Sequence, residues 1–512
     1  MSAQVYNVAI VGYGPTGVTL AKLLAQQGLS VAVVDRYRDV YPAPRAGHLD
    51  DEVIRSLQAL EVAYELEPEM DEWTCYEYYD ADWNMFLKID VAQGQGPQGW
   101  RFHNMFLQPK YEARMRELNA ELGVESFLGY EVTDFLEADD AVTLRAHETG
   151  RYWTVQSGAA PAPTSASELE ITARYVVGCD GVHSPVRGAI GGGMEDFGGD
   201  RDWLTVHVQL TEDVDLPKCC FEWVNRERPM AYISPFPERI KLFEFKRLLG
   251  ETREEIQDPA RVREFLRPWL KPDQYEIVKA NLFWFHSRVA ERWRRGRLMI
   301  VGDAAHAMTP KLGQGLCSGF RDVMNLGWKL PRVINGSAPD TLLDTYETER
   351  KPHVREYVVG SNELTTAIWT MAENPEEWDK GLVEFAYPQP RLGPGLHGDA
   401  PPPAGSISSQ PRLPDGRLMD DALGFRFAVI GASAVVDGVS AATREAWDCF
   451  DTTVLTDAGE EVDEWLSSLE ASAVILRPDR YILGVASSSA DLDAITAEAR
   501  RFLICEEVAA TS

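Results

Sequence analysis

Apolar positions along this chain recur with two periods, and the change of period divides it. Tyr6–Val11 is a short apolar run that stops at Gly12-Tyr-Gly14-Pro-Thr-Gly17. Helical spacing follows from Pro15 to about Gln27, and a second apolar run, Val31–Val34, ends at Asp35. Runs of this length bounded by glycine predict buried strands, and the 3.6-residue spacing between them predicts a helix. The signal returns twice. Leu169–Val177 runs into Gly178-Cys179-Asp180-Gly181, and Leu298–Val301 into Gly302-Asp303. After the latter come Pro310, Gly313 and Gly315, then an amphipathic helix to about Leu330 in which Phe320, Val323, Met324, Leu326, Gly327 and Leu330 share a face. Three predicted strands therefore end at an acid beside a glycine-bearing turn: Asp35, Asp180 and Asp303. One Asp-Gly turn would mean little, because structural turns use it often.

Other stretches fill in the order. Helices are predicted around Asp51–Leu60 and Lys110–Leu122, strands within residues 73–105 and at Thr143–Val155, and a Ser/Ala/Pro loop at Gly158–Ser167. Residues 200–290 change to period two: Trp203–Leu210, Phe221–Trp223, Ala231–Pro235, Ile240–Phe245 and Ala280–Ser287 read as antiparallel strands, with one helix at Glu254–Trp269. Helices follow at Leu342–Tyr357 and Asn362–Met371. Eight prolines from Pro388 to Pro414 read as a linker. The last hundred residues form a unit of their own, with strands at Phe425–Ile430, Thr453–Leu455, Ala473–Leu476 and Tyr481–Val485. Helices are expected there around Ala441–Trp447 and at the end.

Composition narrows the function. The chain has 512 residues, enough for two or three domains, and its formal net charge is -30. So acidic a surface argues against nucleic acid and anionic membranes. No apolar run approaches the roughly 20 residues of a membrane span, and no basic-then-apolar leader precedes the first strand. The seven cysteines are scattered and never CxxC, and the adjacent Cys219-Cys220 are poorly arranged for an ordinary disulfide or a zinc site. A reducing cytoplasm, with no metal, is the expectation.

The first unit carries the clearest chemistry. Strand, GxGxxG, helix, strand and acid follow one another, with Asp35 18 positions after Gly17. Glycines at this spacing permit a tight turn and close approach to a pyrophosphate, and the acid takes a ribose hydroxyl. NAD and FAD both fit at this point. The Leu298–Leu330 stretch adds a glycine-rich helix start, whose free N–H groups favour negative charge.

The strings PRAGHLDDE, FLQP, CDGVHSPVR, GDAAHAMTPKLGQG and LLDTYETER, with Gly12–Gly17 and Asp35, span about residues 5–360. Together they resemble the single-component flavoprotein aromatic hydroxylases (group A monooxygenases), of the 3-(3-hydroxyphenyl)propionate hydroxylase and phenol type. The tail is similar to that family's thioredoxin-like C-terminal domain, with Arg477-Pro478-Asp479 matching its RPD motif and no CxxC. The resemblance implies an α/β fold. A Rossmann-like FAD-binding domain, resembling that of para-hydroxybenzoate hydroxylase, would span 1–190 and 288–385, the latter with a helical extension. An antiparallel substrate sheet at 191–287, a linker at 386–415 and the thioredoxin-like unit at 416–512 complete it. A structural or dimerisation role is implied for that unit, making a homodimer the expected assembly.

Carried over by position, the resemblance implies that FAD meets Gly12, Gly14, Pro15 and Gly17 at its pyrophosphate and Asp35 at its adenosine ribose. Arg45 and Gln108 would sit at the ribityl–phosphate region, with Arg36 and Val132 among the cofactor contacts. Asp303 would hold the cofactor's middle, and Pro310, Gly313, Gly315 and Leu316 would border the isoalloxazine. Asp180 belongs to a motif associated with both FAD and the nicotinamide donor. Cys317 stands where the family commonly has Asn. The implied reaction uses NADH or NADPH and O2: a flavin C4a-hydroperoxide hydroxylates a phenolic ring. The substrate pocket should lie between the inserted sheet and the flavin, which makes His207, Tyr232 and His286 candidate catalytic residues and Trp223 and Phe245 candidate substrate contacts. A packed core aromatic or a satisfied histidine is the alternative for each. His48 and His103 are further candidates, and His306 is expected to be structural. Rival functions are a same-fold epoxidase or reductase, a non-catalytic flavin-binding protein, and an NAD-dependent dehydrogenase, which leaves Asp180 and Asp303 unexplained.

Overall fold

A computed structural model describes residues 4–90, 94–153, 167–199, 201–225, 227–234, 236–373 and 389–504, with side chains to 370 in the last helix before the gap. Most of the Gly158–Ser167 loop, and the expected element ends at Val155, Pro235 and Pro388, lie outside the described residues.

The first unit is built on five parallel strands in the spatial order Leu298–Ile300, Glu168–Gly178, Val5–Val11, Val31–Asp35 and Glu125–Leu128. Parallel strands buried on both faces read as continuous apolar runs, which is why Val8, Ala9, Ile10 and Ala32–Val34 are almost wholly buried. Because the strands are parallel, their carboxyl ends share one edge. Gly12, Asp35, Asp180 and Asp303 therefore gather there, where open α/β sheets bind ligands. The Pro15–Gln26 helix starts at that edge with Pro at its first position, and the 21-residue Gln314–Ile334 helix packs beside it.

The second unit is a seven-stranded sheet in the order Tyr275–Phe285, Arg201–Leu210, Ile240–Lys246, Met230–Ile233, Cys220–Trp223, Cys75–Tyr79 and Met85–Asp90. The last two strands come from a segment more than a hundred residues upstream, and Cys75–Tyr79 pairs with Cys220–Trp223 in parallel. That pairing overturns the cysteine expectation. Cys220 stands opposite Tyr76, so Cys219 falls beside Cys75, and the two are disulfide-bonded with Cα atoms 5.2 Å apart. A separation of 144 residues hid the pair from the sequence.

Two helix expectations are corrected. Glu254–Trp269 is two helices, Arg253–Ile256 and Pro259–Leu266, because Asp258 caps the second through Ala260 and Arg261 N–H and Pro259 opens it. Leu342–Tyr357 and Asn362–Met371 are one 30-residue helix, Asp344–Glu373. Pro352 lies within it.

The C-terminal residues form a four-stranded sheet in the order Thr452–Thr456, Phe427–Gly431, Ala473–Leu476 and Ile482–Ala486, its first pair parallel and the rest antiparallel. From 389 on, the proline-rich stretch lies against both neighbours. Leu392 and Leu396 are buried, Leu396 N–H donates to Glu349, and Gly405 N–H donates to the Ile482 carbonyl. Below it, Lys329, Arg477, Glu349 and Asp479 form a fully buried ion network that joins the Gln314–Ile334 helix to the last sheet.

Candidate active site

At the carboxyl edge the chain approaches itself too closely for side chains. Gly12 has φ +100°, and a Cβ there would stand 2.3 Å from the Cys179 carbonyl oxygen; at Gly17 it would stand 2.1 Å from the Gly12 carbonyl oxygen. Gly14 is open instead, its nearest side-chain neighbour being the Arg45 guanidinium 3.7 Å from where a Cβ would lie. The Asp35 carboxylate accepts from Tyr13 N–H at 2.7 Å and Tyr37 N–H at 2.8 Å, which fixes it beside the glycine turn. Arg36 points outward towards Glu131 at 3.7 Å, and Val132 is buried in the adjoining ribbon opposite Ala146.

Arg187 ties the other two acid turns together, donating to the Ala304 carbonyl at 2.8 Å and the Val182 carbonyl at 2.7 Å. Asp180 accepts from Val186 N–H, but its Oδ1 is buried and without a partner. Burial pushes its carboxyl up to about 6. Asp303 is exposed.

The loop facing this edge is held by buried polar groups. Gln108 Oε1 accepts from Arg45 N–H at 2.9 Å and Ala46 N–H at 3.1 Å, and its amide donates to Glu112. Arg321 bridges Asp50 at 2.6 Å and Glu52 at 2.7 Å, and Gln314 donates to Asp50 as well. Burial alone would raise the Asp50 carboxyl, but the Arg321 guanidinium, His48 and the hydrogen bonds from Gln314 and Val53 N–H together outweigh it and hold the group down to about 2. These contacts fix the start of the Gln314–Ile334 helix, where Gly313 is left-handed, Gly315 and Leu316 are half-buried, and Pro310 is exposed. Cys317 is placed differently from the expectation. Its side chain is fully buried, and its thiol donates to the Gly313 and His48 carbonyls at 3.4 and 3.7 Å, so only its backbone is on offer to a cofactor.

A cleft opens between Pro310 and the seven-stranded sheet. Thr309, Pro310 and Lys311 form one side, Arg201, Trp203, Ala231, Glu244 and Phe285 the other, with Thr365 and Trp369 closing it. Strand alternation decides which residues reach it. Thr205, Glu244, Ala231, Glu222 and Tyr78 stand opposite one another across five strands and so share one face. Trp223, Tyr232 and Phe245 lie on the other face, against Leu204, Val206 and the Val262–Leu266 helix turn. That corrects their placement as substrate contacts or catalyst: they are the core of the sheet's far side.

The histidines divide similarly. His207 is buried on the cleft-facing side but beyond the cleft, donating to the Pro44 carbonyl, and burial with the nearby Lys279 charge pulls it down to about 4. His286 stacks on the exposed Trp284 just past the end of its strand and is not among the residues lining the cleft. His48 and His103 bond each other at 2.8 Å behind Gly313. His306 bonds Asp322 at 2.8 Å, and Asp322 also pairs with Arg350, all fully buried, as a structural group should be.

Sequence reading missed Arg201, Trp203, Glu244, Thr309, Lys311 and Trp369. The available signal was a lone acid inside an apolar strand, Leu-Phe-Glu244-Phe. Lys311 pairs with the fully buried Glu222 across the cleft's inner end. Beyond the cleft, on the strand beside His207, Lys279 Nζ sits 3.5 Å from the Tyr41 ring centroid, with the Arg45 guanidinium 4.8 Å from the same ring.

Comparison with known proteins bears on what this edge and cleft hold. The FAD binding domain family matches residues 5–361, and the HcaD C-terminal domain family matches residues 405–501. A probable NADH-specific resorcinol 4-hydroxylase of Rhodococcus jostii is 34% identical, covering 96% of this chain and 94% of the relative. The chain belongs to the FAD-dependent aromatic hydroxylases. A 3-(3-hydroxy-phenyl)propionate/3-hydroxycinnamic acid hydroxylase of Mycolicibacterium smegmatis is 31% identical over 93% of this hydroxylase and 90% of that relative. The fold is shared with aklavinone-11 hydroxylase, solved with FAD and aklavinone, at TM-score 0.79 and 23% identity over 98% of this chain and 100% of that one. It is shared too with the flavin-dependent monooxygenase PieE, at TM-score 0.80 and 20% identity over 98% and 99%. The match to the FAD binding domain family makes FAD the hydroxylase's cofactor, and among its described residues no helix is long and apolar enough to cross a membrane.

Proposed function

We propose that the chain hydroxylates a small phenol with NADH as donor, the ring lying in the cleft between Pro310 and the Trp203–Glu244 face. The observation that supports this most is that the cleft opens on the helix-start loop the FAD family match covers, with aromatic walls on its other sides. The residues fit FAD. Gly12 and Gly17 exclude side chains where a pyrophosphate would approach, and Gly14 leaves its backbone open. Asp35 is set for the adenosine ribose, Arg45 and Gln108 for the ribityl–phosphate region, and Asp303 for the middle of the cofactor.

Bound FAD supplies electron transfer from the nicotinamide to O2 and insertion of one oxygen atom. The chain supplies the rest. Backbone N–H groups of Gly315, Leu316 and Cys317 at a helix start stabilise negative charge on a reduced ring. Trp203, Phe285 and Trp369 orient the substrate ring and exclude water. Lys279 and Arg45 place positive charge beside Tyr41 on a protein of net charge -30, which suits an anionic donor docking there. We further read the C-terminal sheet, with its parallel first pair and antiparallel remainder, as a thioredoxin-like unit whose part is structural. The test is a yellow purified protein whose NADH oxidation resorcinol accelerates, with a hydroxylated product formed and O2 consumed. A colourless protein, or one indifferent to phenols, contradicts the reading.

A further inference from the structure

We propose that Glu244 is the base that takes the hydroxyl proton of the aromatic substrate, an assignment that rests on the phenol hydroxylase reading above. Its position carries the argument. Glu244 lies on the third of seven strands, opposite Thr205 on one side and Ala231 on the other, and it is the one carboxylate among the cleft-lining residues. Ala231 is small, so the space beside the carboxylate stays open. The next acid in the same row, Glu222, is taken up by its contact with Lys311, whose ammonium burial and the Arg201 charge pull down to about 7. The Glu244 carboxylate has no hydrogen bond or ion pair to a described residue, although the residue is half-buried. A carboxylate kept inside a protein without a partner is costly unless something else satisfies it. A substrate hydroxyl between Trp203, Phe285 and Trp369 would do so.

The charges around it suit this role. Arg201 and Lys311 line the same cleft, Glu222 stands two strands further on, Lys246 lies two positions along its own strand, and the Tyr76 phenol is close enough to feel its charge. Burial pushes the carboxyl up to about 7, so near neutral pH it is basic enough to accept a proton and ionised enough to be ready. In the step itself the substrate O–H bond breaks and a new O–H bond forms on the Glu244 carboxylate. The electron pair stays on the substrate oxygen, whose donation into the ring makes the neighbouring carbons better nucleophiles. No oxidant is consumed, and the proton leaves Glu244 to solvent after turnover. A histidine was the more obvious base, but His207 lies beyond the cleft and His286 near the surface.

Glu244→Gln keeps the shape and removes the basicity. With resorcinol as probe, the holoenzyme variant should lose product formation about 100-fold. Its FAD content should be unchanged, and NADH oxidation should shift towards hydrogen peroxide. The parent's kcat/KM should rise with pH to a plateau above about 7, and the variant should lose that limb. Equilibrium binding supplies a readout without turnover: resorcinol bound to the parent should show a phenolate difference spectrum, and resorcinol bound to Glu244→Gln a phenol spectrum. Because ionising a buried carboxyl of raised pKa costs stability as pH climbs through that pKa, Glu244→Gln should melt no lower than the parent at pH 8. Parent-like product yield and an intact pH limb in Glu244→Gln overturn the proposal. Should that variant lack FAD, Glu244→Asp is measured instead; a slower rate with the limb retained supports the base, and a parent-like rate without the limb overturns it. A parent that no phenol accelerates defeats the hydroxylase reading first, before Glu244 is at issue.

Discussion

The carboxyl edge of the parallel sheet and the inward face of the antiparallel sheet meet around one cleft, but they are made of different material. At the edge the working groups are backbone: glycines without Cβ atoms, N–H groups at two helix starts, and acids locked by their own turns. Each piece is consecutive in sequence, because a strand, its turn and its helix are one stretch of chain. On the sheet face the working groups are single side chains drawn from four strands: Arg201 and Trp203 from one, and Ala231, Glu244 and Phe285 from one each. Consecutive residues there do opposite jobs, since Glu244 faces the cleft while Phe243 and Phe245 fill the far core. A backbone site tolerates almost no change at its glycines. A side-chain site can change its ligand by changing one residue while the sheet stays folded.

Substitutions at the two sites should therefore fail in different ways. Gly12→Ala should have the largest effect, because its Cβ would meet the Cys179 carbonyl at 2.3 Å in a left-handed conformation. The purified variant should be nearly colourless, with flavin absorbance per chain down at least tenfold and no turnover. Flavin retained at parental levels would show that the edge is less rigid than drawn. Next come two aromatic truncations on neighbouring strands. Phe245→Ala should cost about 3–5 kcal/mol of stability with KM for resorcinol unchanged in the folded fraction. Trp203→Ala, on the cleft side, should raise that KM about tenfold and favour peroxide over product. An exchange of these outcomes would invert the faces. Cys317→Ala should do least: a loss of about 1 kcal/mol from a buried, weakly bonded thiol and an unchanged flavin spectrum.

This division also explains what could be read from sequence. Gly12–Gly17, Asp35, Asp180 and Asp303 were legible because the motif is a string, and the parallel order needed only the recurrence of strand, turn and acid. Trp223, Tyr232 and Phe245 were misplaced because an apolar strand tells which residues alternate, not which side meets the cofactor. Leu-Phe-Glu-Phe-Lys gives Glu244 one face and Phe245 the other, and only pairing with Arg201–Leu210 says which is inward. The Cys75–Cys219 bond and the two strands drawn from residues 75–90 were hidden for a different reason, since both depend on long-range register. Cys317 looked informative as a departure from pattern, but its side chain turned out to serve the core behind the loop.

The central claim is that a phenol seated on the Glu244 face meets a flavin held by the glycine edge. Flavin reduction followed by stopped-flow, with the enzyme mixed anaerobically with NADH in the presence and absence of resorcinol, tests it most directly. With resorcinol bound the flavin should bleach at least tenfold faster, and admitting O2 should give close to one hydroxylated product per NADH consumed. Reduction at the same slow rate with and without resorcinol and every other phenol tried, with peroxide as the sole product, would contradict it.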